Sequence, residues 1–103
     1  MIYKLIVTRK AKRQLDNLLY YLKYEIQNGQ AAQHLLKEIP KIYERLKNNP
    51  EQFPYCLDEN LKEKKYRKAV LLTMNYTVIF QIDQNNVHII GIFHNLENYG
   101  EQL

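Results

Sequence analysis

The spacing of apolar residues changes character along the chain. Residues 2–7 form a short run of β-branched and aromatic types ahead of a basic polar stretch, which predicts a strand. Thr8 then stands where a helix needs its cap. From 9 to about 27 the apolar residues Ala11, Leu15, Leu18, Leu19, Leu22 and Ile26 recur every three or four positions, which gathers them on one helical face. Asn28-Gly29 supplies the left-handed stop. A second amphipathic pattern, Ala32, Leu35, Leu36, Ile39, Ile42, Tyr43 and Leu46, ends before Asn48-Asn49-Pro50. Two helices with so short a link fold back as an antiparallel hairpin. Pro40 lies inside the second pattern, where a missing donor and a clash with the preceding turn cost about 3 kcal/mol, so a kink or break near Leu36 is expected.

Residues 49–64 carry Pro50 and Pro54 and little periodicity, and read as an irregular crossing back to a sheet. Three β-rich runs follow, at 65–72, 75–82 and 87–93, separated by short polar turns such as Asp83-Gln84-Asn85-Asn86. Links this short pair neighbours antiparallel. In the last run Ile90 and Ile92 share parity with His88 and His94, while Val87, Ile89, Gly91 and Phe93 alternate with them. Apolar groups on both faces predict a central strand. The order implies an α+β fold in one domain, 1–103: an N-terminal strand, an antiparallel helical hairpin and a three-stranded antiparallel meander in one twisted sheet. The hairpin covers one face, and the other is more open.

At 103 residues and 46% hydrophobic, the chain can bury one small core. Its single cysteine, Cys56, has no disulfide partner and no regularly spaced His with which to hold zinc, so no metal and no cofactor is expected. Neither a signal-peptide core nor a membrane-spanning run of about 18 apolar residues occurs, which points to a cytoplasmic protein without a membrane partner. Charge is uneven: residues 1–68 carry all fifteen Lys and Arg against eight acids, net +7, and residues 69–103 carry three acids, net −3. Such a field suits a polyanion or an acidic partner, although lysines also simply solvate helix faces.

The strip from Lys62 to Lys68 holds five cations in seven residues: Lys62, Lys64, Lys65, Arg67 and Lys68, with Tyr66 among them. Lysine and arginine can grip phosphates, Arg67 in a bidentate way, and Tyr66 or Tyr76 could stack on a base. The same residues would serve equally as a solvated lead-in to an edge strand. His94 closes the last strand, where an imidazole can transfer protons. Metal-free RNA cleavage needs a base for the 2′-hydroxyl, an acid for the leaving 5′-oxygen and a cation for the phosphate; His94, Tyr99 and Arg67 are suitable types. A lone His at a strand end also serves as a hydrogen-bonded structural residue, the reading favoured for His34 and His88. Nine tyrosines without a tryptophan, three of them at 20, 21 and 24, suit either an interface or cover for a thin core. The tail from 95 to 103 is expected to order against a partner.

Several local motifs, in order, resemble the RelE/ParE toxin superfamily. They are Tyr3-Lys4-Leu5-Ile6-Val7-Thr8, the helix with Ala11 and Leu15, Ala31-Ala32, Leu46-Lys47-Asn48-Asn49-Pro50, Tyr66-Arg67-Lys68, Tyr76-Thr77-Val78-Ile79-Phe80 and Ile89-Ile90-Gly91-Ile92-Phe93-His94. The resemblance spans nearly the whole chain. It implies the growth-arresting toxin of a type II toxin–antitoxin pair, wrapped by a cognate antitoxin and meeting operator DNA only as that complex. Two mechanisms follow from it. RelE-like members cut mRNA on the ribosome, and on that reading Arg67 steadies the phosphate, Lys62, Lys64, Lys65, Tyr66 and Lys68 bind RNA, and His94 with Tyr99 moves protons. ParE-like members poison DNA gyrase and need no nuclease residues; a non-toxic binding relative is the remaining alternative. The expectation leans to the endoribonuclease, because the cation strip would otherwise lack a use. Two departures weigh against it: Asn95 follows His94 where some nucleases place a tyrosine, and no Arg or Lys follows Lys68.

Overall fold

The computed structural model describes residues 2–103. Strand β1 (Lys4–Val7) leads into helix α1 (Arg9–Tyr20), which continues through a π-turn at Tyr21–Glu25. Helix α2 (Gly29–Asn48) returns, a 3-10 turn follows at Pro50–Gln52, and the short helix α3 (Glu59–Glu63) precedes β2 (Tyr66–Val70). Strands β3 (Tyr76–Asp83) and β4 (Asn86–His94) complete the meander, and α4 (Tyr99–Gln102) ends the chain. The four strands form one sheet in the order β1-β4-β3-β2, with β1 parallel to β4 and the other pairs antiparallel. The α+β architecture expected from the sequence is therefore present, and β4 is central. No helix among the described residues is long and apolar enough to cross a membrane.

The N-terminus of α1 is fastened to the sheet by one side chain. Thr8 Oγ1 accepts a hydrogen bond from Ala11 N at 3.2 Å and donates one to the Ile89 carbonyl at 2.8 Å, so the helix cap also holds β4. Thr8→Ala is expected to lower unfolding free energy by about 1–2 kcal/mol. Urea denaturation would show this, and Thr8→Ser should recover most of it; a loss below experimental error would refute the double role.

The hairpin differs from expectation at its joints. Gln27, at φ 54°, takes the left-handed position that Asn28-Gly29 were expected to supply. Asn28 instead caps α2, its Oδ1 accepting from Ala31 N at 3.0 Å, and Gly29 is already helical. Pro40 does not break α2, which runs unbroken past it. The bond it removes would have gone to the Leu36 carbonyl, and Leu36 lies on the exposed side, where water can take that carbonyl. Buried Leu35, Ile39, Ile42 and Leu46 hold the helix to the sheet on the other side.

The parity expected in β4 is also corrected. Ile79 pairs with Gly91 and Phe80 with Ile89, so Ile90 is an extra residue in a β-bulge. The bulge puts Ile92 with Val87 and Ile89 in the main core beneath the hairpin, and sends Phe93 to the opposite face. Gly91 belongs at the bulge, because an added Cβ would come within 2.6 Å of Gln14 Oε1 and 2.7 Å of the Phe93 ring. Gln14 occupies that space for a reason: β1 stops at Val7, opposite Ile89, and Gln14 Oε1 accepts from the otherwise unpaired Ile92 N at 3.1 Å.

The second face of the sheet, expected to be the more open one, is partly covered. Leu61 from α3, Cys56, Ile79 and Phe93 form a small buried cluster, with Tyr66, Ile90, Tyr99 and Leu103 packed against it. The segment expected to be irregular supplies this cover by folding its end into α3, and the C-terminal tail supplies the rest by docking on its own sheet.

Candidate functional site

The basic strip does not present one surface. Helix α3 is capped by Asp58, whose Oδ1 accepts from Leu61 N at 3.1 Å, and the chain then turns through Lys65 at φ 61°. Lys62, Lys64 and Lys65 stand exposed around that turn. Lys64 also donates from Nζ to the Leu103 carbonyl and lies 5.9 Å from the Tyr66 ring. Tyr66 is half-buried against the second cluster, so its ring already has a packing role. Lys68, on the same face of β2, lines a polar cleft of about 250 Å³ with Cys56, Asp58, Asn95, Glu97 and Tyr99.

Arg67 points to the opposite face, because it neighbours Tyr66 and Lys68 along a strand. Its Nη1 donates to the Phe53 carbonyl at 2.7 Å and to the Glu51 carbonyl at 3.4 Å, and its guanidinium lies 4.1 Å from the Tyr55 ring centroid. These contacts tie the segment between α2 and α3 to the edge of β2, assisted by the bridge from Tyr55 to Arg67. The arginine is engaged as a clamp.

His94 lies beside Tyr76, its cross-strand partner, with ring centroids 5.4 Å apart at 88°. Its Nδ1 accepts from Leu96 N at 3.1 Å, and its backbone N donates to Glu97 Oε1 at 3.0 Å. That pattern turns the chain out of the sheet after β4. It leaves Nε2 as the remaining nitrogen, and His94 lines a groove of about 260 Å³ with Gln14, Asn17 and Leu18. Tyr99 lies on the other face, stacked on Phe93 at 5.3 Å, and burial raises its phenol pKa, so it holds its proton at neutral pH.

The three residues suited to RNA cleavage therefore stand apart. Arg67 pairs with Phe80, which pairs with Ile89, five residues from His94 along β4 and one strand beyond β3. With strand rise near 3.3 Å and strand spacing near 4.8 Å, the two are separated by on the order of 15–20 Å. Tyr99 is across the sheet from both. What the fold does bring together is Lys68, Tyr99, Asp58, Glu97 and buried Cys56 around the polar cleft. Burial pushes the Cys56 thiol pKa up, which makes it a poor nucleophile. Among the described residues no group of His, Cys, Asp and Glu could hold a metal ion. His34 sits 3.1 Å from Thr73 Oγ1 and 3.5 Å from Glu38 on the helical hairpin.

A second cation set went unused in the sequence reading. Arg9, Lys10, Lys12 and Arg13 are all exposed on the first turns of α1. The signal was available, since four cations in five residues is as dense as the later strip.

A profile of the family described as ParE toxin of type II toxin–antitoxin system, parDE, matches residues 5–99. No curated protein sequence matches. Among solved structures, the chain is similar to one from the chromosomal ParDE toxin–antitoxin system of P. aeruginosa, with TM-score 0.68 and 18% identity over 90% of this chain and 96% of that one. It is also similar to one from the toxin–antitoxin complex RelBE2 of Mycobacterium tuberculosis, with TM-score 0.61 and 18% identity over 91% and 99% of the two chains.

Proposed function

The chain belongs to the ParE toxin family of type II toxin–antitoxin systems, and from that premise we propose that it arrests growth by poisoning DNA gyrase, has no RNA-cleaving centre of its own, and is neutralised by a cognate antitoxin. The observation that carries the proposal is the dispersal of Arg67, His94 and Tyr99. General acid–base cleavage of RNA requires groups within hydrogen-bond reach of one phosphate, about 2.6–3.2 Å from the atoms they serve. Arg67 is already committed to the Phe53 and Glu51 carbonyls, and Tyr99 is stacked on Phe93 across the sheet, so the three do not converge on one phosphate. The antitoxin is supported by the family and by the similar chains, which come from toxin–antitoxin assemblies. Acidic residues on it would neutralise the chain's exposed cations.

The test is to add the purified toxin to gyrase and supercoiled DNA. Cleaved DNA should accumulate and supercoiling should fall, and in cells thymidine incorporation should drop before methionine incorporation. The reverse order in cells, with gyrase unaffected, would overturn the proposal. It would favour ribosome-dependent mRNA cleavage, a reading that has in its support the exposure of Lys62, Lys64 and Lys65 around one turn.

A further inference from the structure

We infer that the exposed face of α1 is a docking surface for the backbone of duplex DNA. Ala11, Leu15, Leu18, Leu19 and Leu22 turn toward the sheet, which leaves Arg9, Lys10, Lys12, Arg13, Asp16, Asn17, Tyr20, Lys23 and Tyr24 on the outer face. Five of these are cations and one is an acid. Among the described residues the ion pairs all lie on α2, so none of the five cations is paired.

The placement is unfavourable for the isolated helix. Cations in a first turn face the positive end of the helix dipole, and α1 has no acid there to offset them. A surface that accumulates unpaired positive charge against its own dipole gains most from an external polyanion. From Arg9 to Tyr24 the face is about 22 Å long at 1.5 Å per residue. Over that length a DNA duplex carries roughly a dozen phosphate charges. At the far end Tyr20 and Tyr24 lie 4.8 Å apart, and Lys23 stands 5.2 Å from the Tyr24 ring centroid. Tyrosine hydroxyls and Asn17 can add hydrogen bonds to phosphate oxygens. Contacts of this kind go to the phosphates and carry no sequence information, so the inferred binding is independent of sequence.

The choice of DNA over other polyanions rests on the gyrase reading, because gyrase holds a duplex while it acts. The toxin would then grip enzyme-bound DNA through α1 while the rest of its surface meets protein.

The test compares wild type, Arg9→Gln/Lys10→Gln/Lys12→Gln/Arg13→Gln and Lys62→Gln/Lys65→Gln by fluorescence anisotropy on a short labelled DNA duplex across a salt series. Four phosphate contacts give a log–log salt slope of about −3.6. The α1 variant should lose most of that slope and bind at least tenfold more weakly at low salt, with a thermal midpoint equal to or above wild type. The α3–β2 variant should bind as wild type does. Equal binding by wild type and the α1 variant, no binding by wild type at low salt, or tighter binding to duplex RNA would each overturn the inference. In the gyrase assay the α1 variant should need at least tenfold more protein to trap cleaved DNA. If both proteins trap equally, the α1 inference falls and the gyrase reading stands. If wild type does nothing to gyrase, the gyrase reading falls and the anisotropy series still decides whether α1 binds DNA.

Discussion

Phe80→Ala is expected to lower the free energy of unfolding by about 3–5 kcal/mol, the largest loss of any single substitution proposed for this chain. Phe80 is fully buried in β3 between Val78 and Ile82, beneath the helical hairpin. Its ring meets Phe53 edge to face at 5.9 Å, and Arg45 lies 5.0 Å from the other ring's centroid. Removing it opens a cavity that the hydrogen-bonded β2 and β4 on either side cannot collapse to fill. A domain of this size has about 5–15 kcal/mol of stability in total, so the variant should be partly unfolded at growth temperature. Urea denaturation measures the loss, and Phe80→Leu should show a smaller one. A loss under about 1.5 kcal/mol for Phe80→Ala would mean that this core is more plastic than its packing implies.

Arg67→Ala comes second, with an expected loss of about 2–3 kcal/mol from a charge-assisted bond and a stacked ring. The two carbonyls it serves, of Phe53 and Glu51, lie at the start of a segment that backbone hydrogen bonds from Cys56 N to the Tyr66 carbonyl and from Lys68 N to the Pro54 carbonyl fasten to β2 further on. Arg67→Lys should recover little, because an ammonium keeps the charge and loses the planar fork and the stack. This separates two roles. If the clamp is the function, toxicity in both variants should follow thermal stability and return when expression is moved to lower temperature. Loss of toxicity in Arg67→Ala with an unchanged thermal midpoint would instead restore this arginine as a phosphate-binding group, and with it the nuclease reading.

The candidate site was legible in the sequence as chemistry and not as geometry. Lys62 to Lys68 are near each other in the chain, yet strand alternation sends Tyr66 and Lys68 to one face and Arg67 to the other. His94 and Tyr99 are five residues apart, yet the turn set by Glu97 and Leu96 carries Tyr99 around the sheet's end onto Phe93. A list of suitable side chains cannot register such separations.

What the sequence determined by itself is local. Period-3.6 and period-2 apolar spacing set the helices and strands, because a helix or strand buries one stripe of side chains regardless of its distant neighbours. The order of the three meander strands could be inferred because short polar links leave few ways to connect them, whereas the parallel place of β1 beside β4 was not among the expectations. Tertiary structure alone decided three things. The bulge at Ile90 depends on how β4 fits between β1 and β3, and it reverses which face Phe93 occupies. The unbroken α2 depends on the face that receives Pro40 and Leu36, since a lost hydrogen bond is tolerable only where water can replace it. The closing of the sheet's second face by α3 and α4 depends on contacts between residues far apart in the chain, whose energies no local pattern records.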